Sequence, residues 1–281
     1  MRVQGFHDAE TGTITYLVGC EATRRCVVID PVLGFDPVTG RTSEAPLRPV
    51  IAAIDAQGLT LEWVLETHIH ADHLSAGAAL RQARGGQLGI GAGVVAVERN
   101  FGKLFNFGLE SARFDRLFED GEGFAVGDLA GQVLATPGHT PDSMSYRIGD
   151  ALFVGDTLFM PDSGTARCDF PGGDAATLYR SIHRILALPD ETRIFVCHDY
   201  KAPGRDSVAW ETTVAEQRRL NTHVHEGISE ADYVALRLAR DAGLAMPRLM
   251  LPSVQVNLRA GSMPPPDANG VRYIRIPIDS V

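Results

Sequence analysis

The residues of this sequence best suited to metal chemistry lie at positions 67–73, where the chain reads Thr-His-Ile-His-Ala-Asp-His. The stretch directly follows an apolar run at 63–65. Neutral imidazole is the commonest metal ligand in proteins, and carboxylate oxygen is a frequent partner. A polar loop that holds these histidines by chance is the alternative, but the whole chain has only 9 histidines. We therefore predict a metal site in this stretch.

Three later loops repeat the same feature, a metal-competent residue shortly after an apolar strand. These residues are His139, Asp156 and His198. Side chains at strand ends are held by the sheet, so strands that end at a common edge would gather such residues into one rigid site. We predict that His68 joins the three at that edge.

Composition and charge narrow the class of protein. The chain has 281 residues, enough for one large domain or two small ones, with 44% hydrophobic and 22% charged residues. The net charge of −9 and the pI of about 5.5 argue against nucleic acid and anionic membranes as partners. Residues 1–9 show no secretory leader, and no apolar run of about 18 residues occurs. We therefore predict a cytoplasmic protein with no membrane partner.

The four cysteines are Cys20, Cys26, Cys168 and Cys197, and they contain no C-x-x-C pair. They are too few for a disulfide scaffold, so we predict reduced thiols. Cys168 and Cys197 lie near the proposed site residues. The sequence leaves open whether these two react or only support the site.

Hydrophobic periodicity and turn residues predict the secondary structure. The predicted strands are 14–18, 26–31, 61–66, 124–126, 131–136, 144–148, 151–154, 194–197 and 271–276. The predicted helices are 47–57, 72–84 with Asp72 as its N-cap, 174–187, 208–222 and 229–242. Residues 34–49 are predicted to be loop-like, 89–93 a turn into a helix, and 101–117 irregular.

This order of elements places helices outside two β-rich halves. The predicted fold class is therefore α+β, a four-layer αβ/βα sandwich. We assign residues 1–245 to one domain and residues 246–281 to a C-terminal extension that packs on the same domain.

Seven metal-competent residues occur in an order and spacing typical of one family. They are His68, His70, Asp72, His73, His139, Asp156 and His198. Through them the sequence resembles the metallo-β-lactamase superfamily over about residues 13–222. The resemblance implies the metallo-β-lactamase sandwich, with the metal site at one edge of the sheets.

Within the superfamily the chain looks most like the persulfide dioxygenase, or sulfur dioxygenase, branch. The stretches that carry this likeness are 15–19, 28–33, 66–73, 137–141, 155–158, 167–170 and 198–200. Ala71 suits this branch, because the related glyoxalase II enzymes usually carry a bulkier residue at that point.

The resemblance implies one Fe(II) per chain, held by His68, His139 and Asp156 as the catalytic residues. Two imidazoles and one carboxylate leave three positions open for substrate and O2. The other members of the cluster would then orient ligands and bind water: His70, Asp72, His73 and His198. The implied reaction converts glutathione persulfide, O2 and water into sulfite and glutathione.

The resemblance also suggests substrate contacts. Tyr200 and Arg218 match family positions that contact glutathione, whose two carboxylates favour cationic and phenolic partners. Arg167 is a third candidate, with an ion pair to Asp169 as its alternative role. The family further implies a homodimer.

The alternative function is a binuclear zinc hydrolase that cleaves thioesters, as glyoxalase II does. Its first zinc would be held by His68, His70 and His139. Its second zinc would be held by Asp72, His73 and His198, with Asp156 as the bridge. A purely structural metal is a third reading, but such sites are closed and rich in thiolates, whereas residues 67–73 contain no cysteine.

Overall fold

The computed structural model describes residues 1–108 and 110–279. The strands are β1 (Arg2–His7), β2 (Ile14–Cys20), β3 (Arg25–Ile29), β4 (Val32–Asp36), β5 (Arg41–Ser43), β6 (Thr60–Leu65), β7 (Leu74–Ser75), β8 (Gln87–Gly91), β9 (Arg116–Phe118), β10 (Gly123–Val126), β11 (Leu129–Ala135), β12 (Met144–Ile148), β13 (Ala151–Phe153), β14 (Arg193–Phe195) and β15 (Glu211–Thr213). The α-helices are α1 (Arg48–Ala56), α2 (Gly77–Arg84), α3 (Val94–Phe105), α4 (Ala175–Leu186), α5 (Val214–Leu220), α6 (Glu230–Asp241) and α7 (Met250–Asn257). In the two described ranges, no helix combines the length and the apolar character needed to cross a membrane.

Two six-stranded sheets form the body of the molecule. The first has the order β1-β2-β3-β6-β8-β9, and the second runs from β10 to β15 in sequence order. Successive side chains of a strand point to opposite faces. On β2, Tyr16 and Val18 face the space between the sheets, whereas Leu17 packs toward the outer helices. Burial on both faces explains why these strands appear in the sequence as continuous apolar runs.

Helices cover the outer face of each sheet. The first sheet shares a core with α1, α2, α3 and α7, and the second with α4, α5 and α6. On α4, Leu178 and Ile182 are buried, and the Asp174 carboxylate caps the helix by accepting from the Thr177 N–H at 2.7 Å. The predicted helix at 174–187 is confirmed. The structure is thus a four-layer αβ/βα sandwich of class α+β, which confirms the predicted fold.

The segment 34–49, predicted to be a loop, contains a hairpin. β4 pairs with β5 on one side and with β7 on the other. The Asp36 carboxylate forms the turn by accepting from the Val38 N–H at 2.9 Å and the Thr39 hydroxyl at 2.6 Å. Gly40 follows with φ of 68°. The prediction is wrong because these turn residues connect two short strands.

The predicted turn at 89–93 begins as part of strand β8. A Cβ added to Gly89 would lie 2.7 Å from Phe118, and one added to Gly91 would lie 2.5 Å from Met144. Gly89 leaves room for Phe118 of the neighbouring strand β9, and Gly91 leaves room for Met144 of the other sheet, so the turn into α3 is limited to residues 92–93. The helix α3 then occupies the start of the region 101–117 that was predicted to be irregular, and Leu109 lies outside the described residues.

Two predicted helices start later than expected. The helix predicted at 72–84 begins only at Gly77, because Asp72 belongs to the loop that carries the histidines. The helix predicted at 208–222 divides into β15 and α5, with Thr213 as the N-cap of α5. Asp72, which suggested the earlier start of the first helix, instead lies beside His73 and His198.

The C-terminal segment contributes a helix, α7, that the sequence pattern does not predict. Met250 and Val254 of this helix and the following Leu258 are buried in the core of the first half. The strand predicted at 271–276 lies in no regular element. Ser280 and Val281 are outside the described residues, and the division into residues 1–245 and 246–281 remains a prediction.

Candidate metal centre

Four loops meet at one edge of the sandwich, as the strand ends predict. β6 of the first sheet leads to His68, while β11, β13 and β14 of the second sheet lead to His139, Asp156 and His198. All four side chains are buried. The site therefore lies where the ends of the two sheets meet, and both sheets hold it.

The first group of side chains, which we call the triad, consists of His68, His139 and Asp156. One atom from each lies within 4.8 Å of the others. Nε2 of His68 is 4.0 Å from Asp156 Oδ2, and Nε2 of His139 is 3.7 Å from the same oxygen. Both distances are below twice a metal–nitrogen bond of about 2.1 Å, so one ion fits between the carboxylate and each imidazole.

Hydrogen bonds determine which nitrogen of His68 faces the triad. Thr67 donates its hydroxyl proton to Asp30 Oδ2 at 2.9 Å, so its oxygen accepts from His68 Nδ1 at 3.0 Å. The proton of the neutral ring is then on Nδ1, which leaves the Nε2 lone pair toward Asp156. Burial lowers the pKa of His68 well below its ordinary value, which keeps the ring neutral and able to bind a metal.

A main-chain carbonyl orients His139 in the same way. Its Nδ1–H donates to the carbonyl oxygen of Arg167 at 2.7 Å. The lone pair of Nε2 is again left for the triad, because neutral imidazole carries only one proton. Both histidines of the triad therefore offer Nε2 to a common point.

A buried ion pair on α6, which we call the α6 clamp, holds the chain on both sides of Arg167. Arg237 and Asp241 form the pair with an N···O distance of 2.7 Å. Arg237 donates to the carbonyl oxygen of Thr165 at 3.0 Å, and Asp241 accepts from the Cys168 N–H at 2.8 Å. The clamp thereby fixes the position of the Arg167 carbonyl.

The buried polar atoms of the triad fit a bound cation. Among the described residues, His68 Nε2 and Asp156 Oδ1 have no hydrogen-bond partner. A buried polar atom without a partner costs about 1–3 kcal/mol, and a metal ion would remove that cost. Two imidazoles and one carboxylate are the donor set of non-haem Fe(II) oxygenases, and the same donors also suit zinc.

The second group, which we call the flanking group, consists of His70, Asp72, His73 and His198. One atom from each lies within 4.8 Å of the others. Asp72 Oδ2 is 3.3 Å from His73 Nδ1 and 3.4 Å from His198 Nε2. Burial disfavours the charge on Asp72, yet His198 and His73 hold its pKa well below the ordinary value. His198 Nε2 is also 3.3 Å from Asp156 Oδ1, so that carboxylate connects the two groups.

His70 is held by two buried carboxylates that the sequence did not single out as site residues. Its Nε2 lies 3.0 Å from Asp30 Oδ1 and 3.5 Å from Glu66 Oε2. Burial opposes a charge on His70, but the two carboxylates raise its pKa well above the ordinary value. Asp30 also accepts from the Thr67 N–H at 2.7 Å. A signal was present in the sequence, because Asp30 follows an apolar strand as the candidate ligands do.

Asn257, at the end of α7, supports the same loop from behind. Its Nδ2 donates to the carbonyl oxygens of His70 and His73, each at 2.9 Å. Its Oδ1 accepts from the Ser75 N–H at 2.7 Å. The side chain is buried. The C-terminal segment thus shapes the histidine loop, and no local sequence pattern indicates this contact.

All four cysteines are free thiols, as predicted. Burial, followed by Asp30 and Asp156, raises the pKa of Cys197 well above its ordinary value. Burial raises the pKa of Cys168 to about 12. Both thiols stay protonated at neutral pH, which argues for a supporting role and against nucleophilic chemistry.

A cavity with two lobes opens beside the triad. The lobes share the residues Ala71, His139, Arg167, Leu244 and Pro247. The polar lobe has a volume of about 650 Å³, and its charged lining includes Glu10, Asp162, Lys201, Arg240 and Arg248. The apolar lobe has a volume of about 770 Å³, and its own lining includes Phe101, Leu104, Phe170, Pro171, Met246 and Met250.

Two of the predicted substrate contacts line this cavity. Tyr200 lies in the polar lobe and stacks on the ring of His198, with a centroid distance of 5.5 Å and an interplanar angle of 6°. Arg167 lies between the lobes, but its guanidinium pairs with Asp169 at 2.5 Å and donates to the Ala245 carbonyl at 2.8 Å. The alternative role of Arg167, the ion pair with Asp169, is therefore formed.

Arg218 is placed differently from the sequence-based expectation. It pairs with Asp190 at 2.5 Å and donates to the carbonyl oxygens of Leu186 at 2.7 Å and Leu188 at 3.0 Å. The described lining of the two lobes does not include it. Its guanidinium holds the end of α4, and this placement argues against the expected contact with glutathione.

Comparisons with known proteins match this fold and site. Residues 10–198 match the family model of the metallo-beta-lactamase superfamily. The chain is 50% identical to a probable metallo-hydrolase of Burkholderia pseudomallei, and the match covers 100% of both chains. It is 43% identical to glyoxylase B2 of Dictyostelium discoideum, over 99% of this chain and 97% of the relative.

Persulfide dioxygenases are also among the similar proteins. The chain is 31% identical to the human mitochondrial persulfide dioxygenase ETHE1, over 90% of this chain and 86% of the human protein. It superimposes on the crystal structure of ETHE1 from Myxococcus xanthus with a TM-score of 0.76 and 34% identity, over 93% of this chain and 100% of that one. The chain therefore belongs to the metallo-β-lactamase superfamily, and within it the chain resembles the persulfide dioxygenases.

Proposed function

We propose that this protein is a glutathione persulfide dioxygenase that works with one Fe(II) held by His68, His139 and Asp156. The observation that carries the proposal is the triad itself, in which two imidazole lone pairs and one carboxylate face each other. His70 binds Asp30 through Nε2 and has no hydrogen-bond partner at Nδ1 among the described residues, so the metal count and not this side chain separates the proposal from a two-zinc site. The likeness to persulfide dioxygenases supports the same reading.

The proposed reaction is GSSH + O2 + H2O → GSH + SO3²⁻ + 2 H⁺. The S–S bond of the persulfide breaks, and the inner sulfur leaves as the thiol of glutathione. Four electrons pass from sulfur to O2, and the sulfite receives both atoms of O2 and the oxygen of water. Bound iron would supply the redox chemistry through which O2 reacts, which zinc does not offer.

The residues of the chain would bind and orient the reactants. The Nδ1–H bonds of His68 and His139 keep both Nε2 atoms aimed at one point. In the polar lobe, Arg240 and Lys201 would offer positive charge to the two carboxylates of glutathione, whereas Arg248 pairs with Glu10. Asp72, ionised beside two histidines, would accept hydrogen bonds from water in the site.

The experiment that tests the proposal combines metal analysis with O2 uptake. The protein is purified without added metal, and its O2 consumption is followed on addition of glutathione persulfide. One iron per chain and one O2 consumed per sulfite formed are expected. Two zinc ions per chain, cleavage of S-lactoylglutathione and no O2 uptake would refute the proposal.

A binuclear thioester hydrolase is the second candidate, and the flanking group favours it. Its four side chains can also hold a cation, and Asp156 connects them to the triad. Relatives named as a metallo-hydrolase and a glyoxylase are more similar in sequence than the persulfide dioxygenases. The metal analysis distinguishes the two candidates because they differ in the number and kind of ions.

A further inference from the structure

The apolar lobe of the cavity has no part in the reaction proposed above. Its wall is made of aromatic, aliphatic and thioether side chains, including Phe101, Leu104, Phe170 and Met250. It reaches the triad directly, because His139 forms part of its lining. A well-formed apolar cavity beside reactive groups is the usual form of a ligand site.

The charges of this lobe do not suit the carboxylates of glutathione. Arg167 and Asp169 pair with each other, and Lys103 lies exposed on α3. The polar lobe differs, since its lining includes Arg240 and Lys201 besides Arg248, which pairs with Glu10. A substrate whose sulfur atom lies at the triad could therefore place the rest of its structure in either of two lobes, one polar and one apolar.

Ala71 lies at the junction of the two lobes, next to the triad. It lies between His70 and Asp72 and lines both lobes. Its single methyl group leaves room beside His139 on either side. A larger side chain at this position would extend into the junction and narrow the entrance to one lobe or both.

We propose that the apolar lobe binds the hydrocarbon substituent of a persulfide, so that alkyl and aryl persulfides are substrates besides glutathione persulfide. This inference rests on the proposed function. The balance is R–S–SH + O2 + H2O → R–SH + SO3²⁻ + 2 H⁺, with O2 as the oxidant and the S–S bond broken. The group R lies in the apolar lobe, and the terminal sulfur lies at the triad.

Binding of the product thiols tests the lobe without any turnover. The metal-loaded protein is titrated by calorimetry with ethanethiol, 1-butanethiol and 1-hexanethiol. Each methylene buried in an apolar site strengthens binding by about fourfold, so the affinity should rise by a factor of this order with each added methylene. An affinity that does not depend on chain length would overturn the inference.

A matched pair of variants connects this effect to the lobe. Leu104→Trp fills the apolar lobe, whereas Leu238→Trp places the same side chain on an exposed part of α6, outside the described lining of both lobes. The chain-length dependence should nearly vanish in Leu104→Trp and persist in Leu238→Trp. Equal dependence in both would contradict the proposal. Met246→Glu, at a half-exposed position of the same lobe, gives the same test if Leu104→Trp does not fold.

Turnover gives the second readout. In Leu104→Trp, kcat/KM for hexyl persulfide should fall about tenfold more than kcat/KM for glutathione persulfide. A parallel fall for both substrates would overturn the inference. If no persulfide caused O2 uptake in the wild-type protein, the proposed function would fail, whereas the thiol titrations would still decide the role of the lobe.

Discussion

The triad and the flanking group contain the same residue types and lie side by side, yet their surroundings differ. In the triad, each imidazole gives its Nδ1–H to a fixed oxygen and turns Nε2 toward Asp156. In the flanking group, Asp72 lies between two imidazoles, and His70 lies beside two buried carboxylates. The comparison teaches that the partner of the second ring nitrogen, and not the residue type, decides what a histidine offers to a metal.

The largest expected effect comes from removal of a triad side chain. His139→Ala should lower iron from about one to below about 0.1 per chain, because three ligands leave no reserve when one is lost. His68→Ala and Asp156→Ala should do the same. Metal analysis of the purified variants and O2 uptake measure the effect.

His198→Ala is the matched comparison from the flanking group. It should keep about one iron per chain while its activity falls, since His198 contacts Asp156 without belonging to the triad. Loss of iron in His198→Ala to the level of His139→Ala would contradict the mononuclear assignment. Loss of one of two ions would instead indicate the binuclear alternative.

The α6 clamp provides the next largest effect, and it should act on the triad alone. Asp241→Ala removes the acceptor for the Cys168 N–H and leaves Arg237 buried without its partner. The free energy of unfolding should decrease by about 3 kcal/mol, and the metal affinity should fall by about 10–100-fold. Urea denaturation and competition with a chelator measure the two quantities.

Asp241→Asn separates position from charge in the clamp. Its amide oxygen can still accept from the Cys168 N–H, so it should retain more metal affinity than Asp241→Ala. Equal metal affinity in the wild type and Asp241→Ala would show that the Arg167 carbonyl does not depend on the clamp.

Asn257 should act on the flanking group in a similar way, with a smaller effect. Asn257→Ala leaves the carbonyl oxygens of His70 and His73 and the Ser75 N–H without their present partner. We expect a loss of about 2 kcal/mol in the free energy of unfolding, with about one iron still bound per chain. Thermal or urea unfolding and metal analysis give both values. Iron loss in this variant would show that the triad depends on the loop as a whole.

The smallest expected effect is a pH dependence of the free energy of unfolding, caused by His223 beside the α6 clamp. His223 accepts from the Thr165 N–H at 3.0 Å, and burial, followed by Arg237 and Arg240, lowers its pKa to about 4. The unfolded chain has the ordinary value of about 6.5, so the unfolded state binds more protons between these values. Stability contributed by the neutral ring is present above pH 6.5 and is lost as the pH falls toward 4.

His223→Gln tests this dependence, since glutamine can accept the same hydrogen bond without titrating. The difference in unfolding free energy between pH 7 and pH 5 should be smaller in the variant by about 1–2 kcal/mol. Urea unfolding at both pH values measures it. The same pH dependence in both proteins would show that other groups control the acid response.

Much of the fold follows from local patterns. The buried strands are visible as apolar runs, and α4 is visible because only one of its faces is apolar. The helix α7 is not visible, since seven of its eight residues are buried and it has no polar face to give a helical period. Gly89 and Gly91 suggest a turn, but the close approach of Phe118 from the same sheet and of Met144 from the other sheet requires them.

The sequence by itself determined the chemistry available at the site, because imidazole and carboxylate groups after apolar strand runs identify the ligands and the edge where they gather. Only the tertiary structure decided what each ligand does. Thr67 and the Arg167 carbonyl bind Nδ1 of His68 and of His139. Asp30 supplies the carboxylate beside His70, and Asn257 supplies the amide that holds the His70 loop. The physical reason is that the kind of side chain is a local property, whereas the orientation of its lone pairs depends on hydrogen bonds to parts of the chain that only folding brings together.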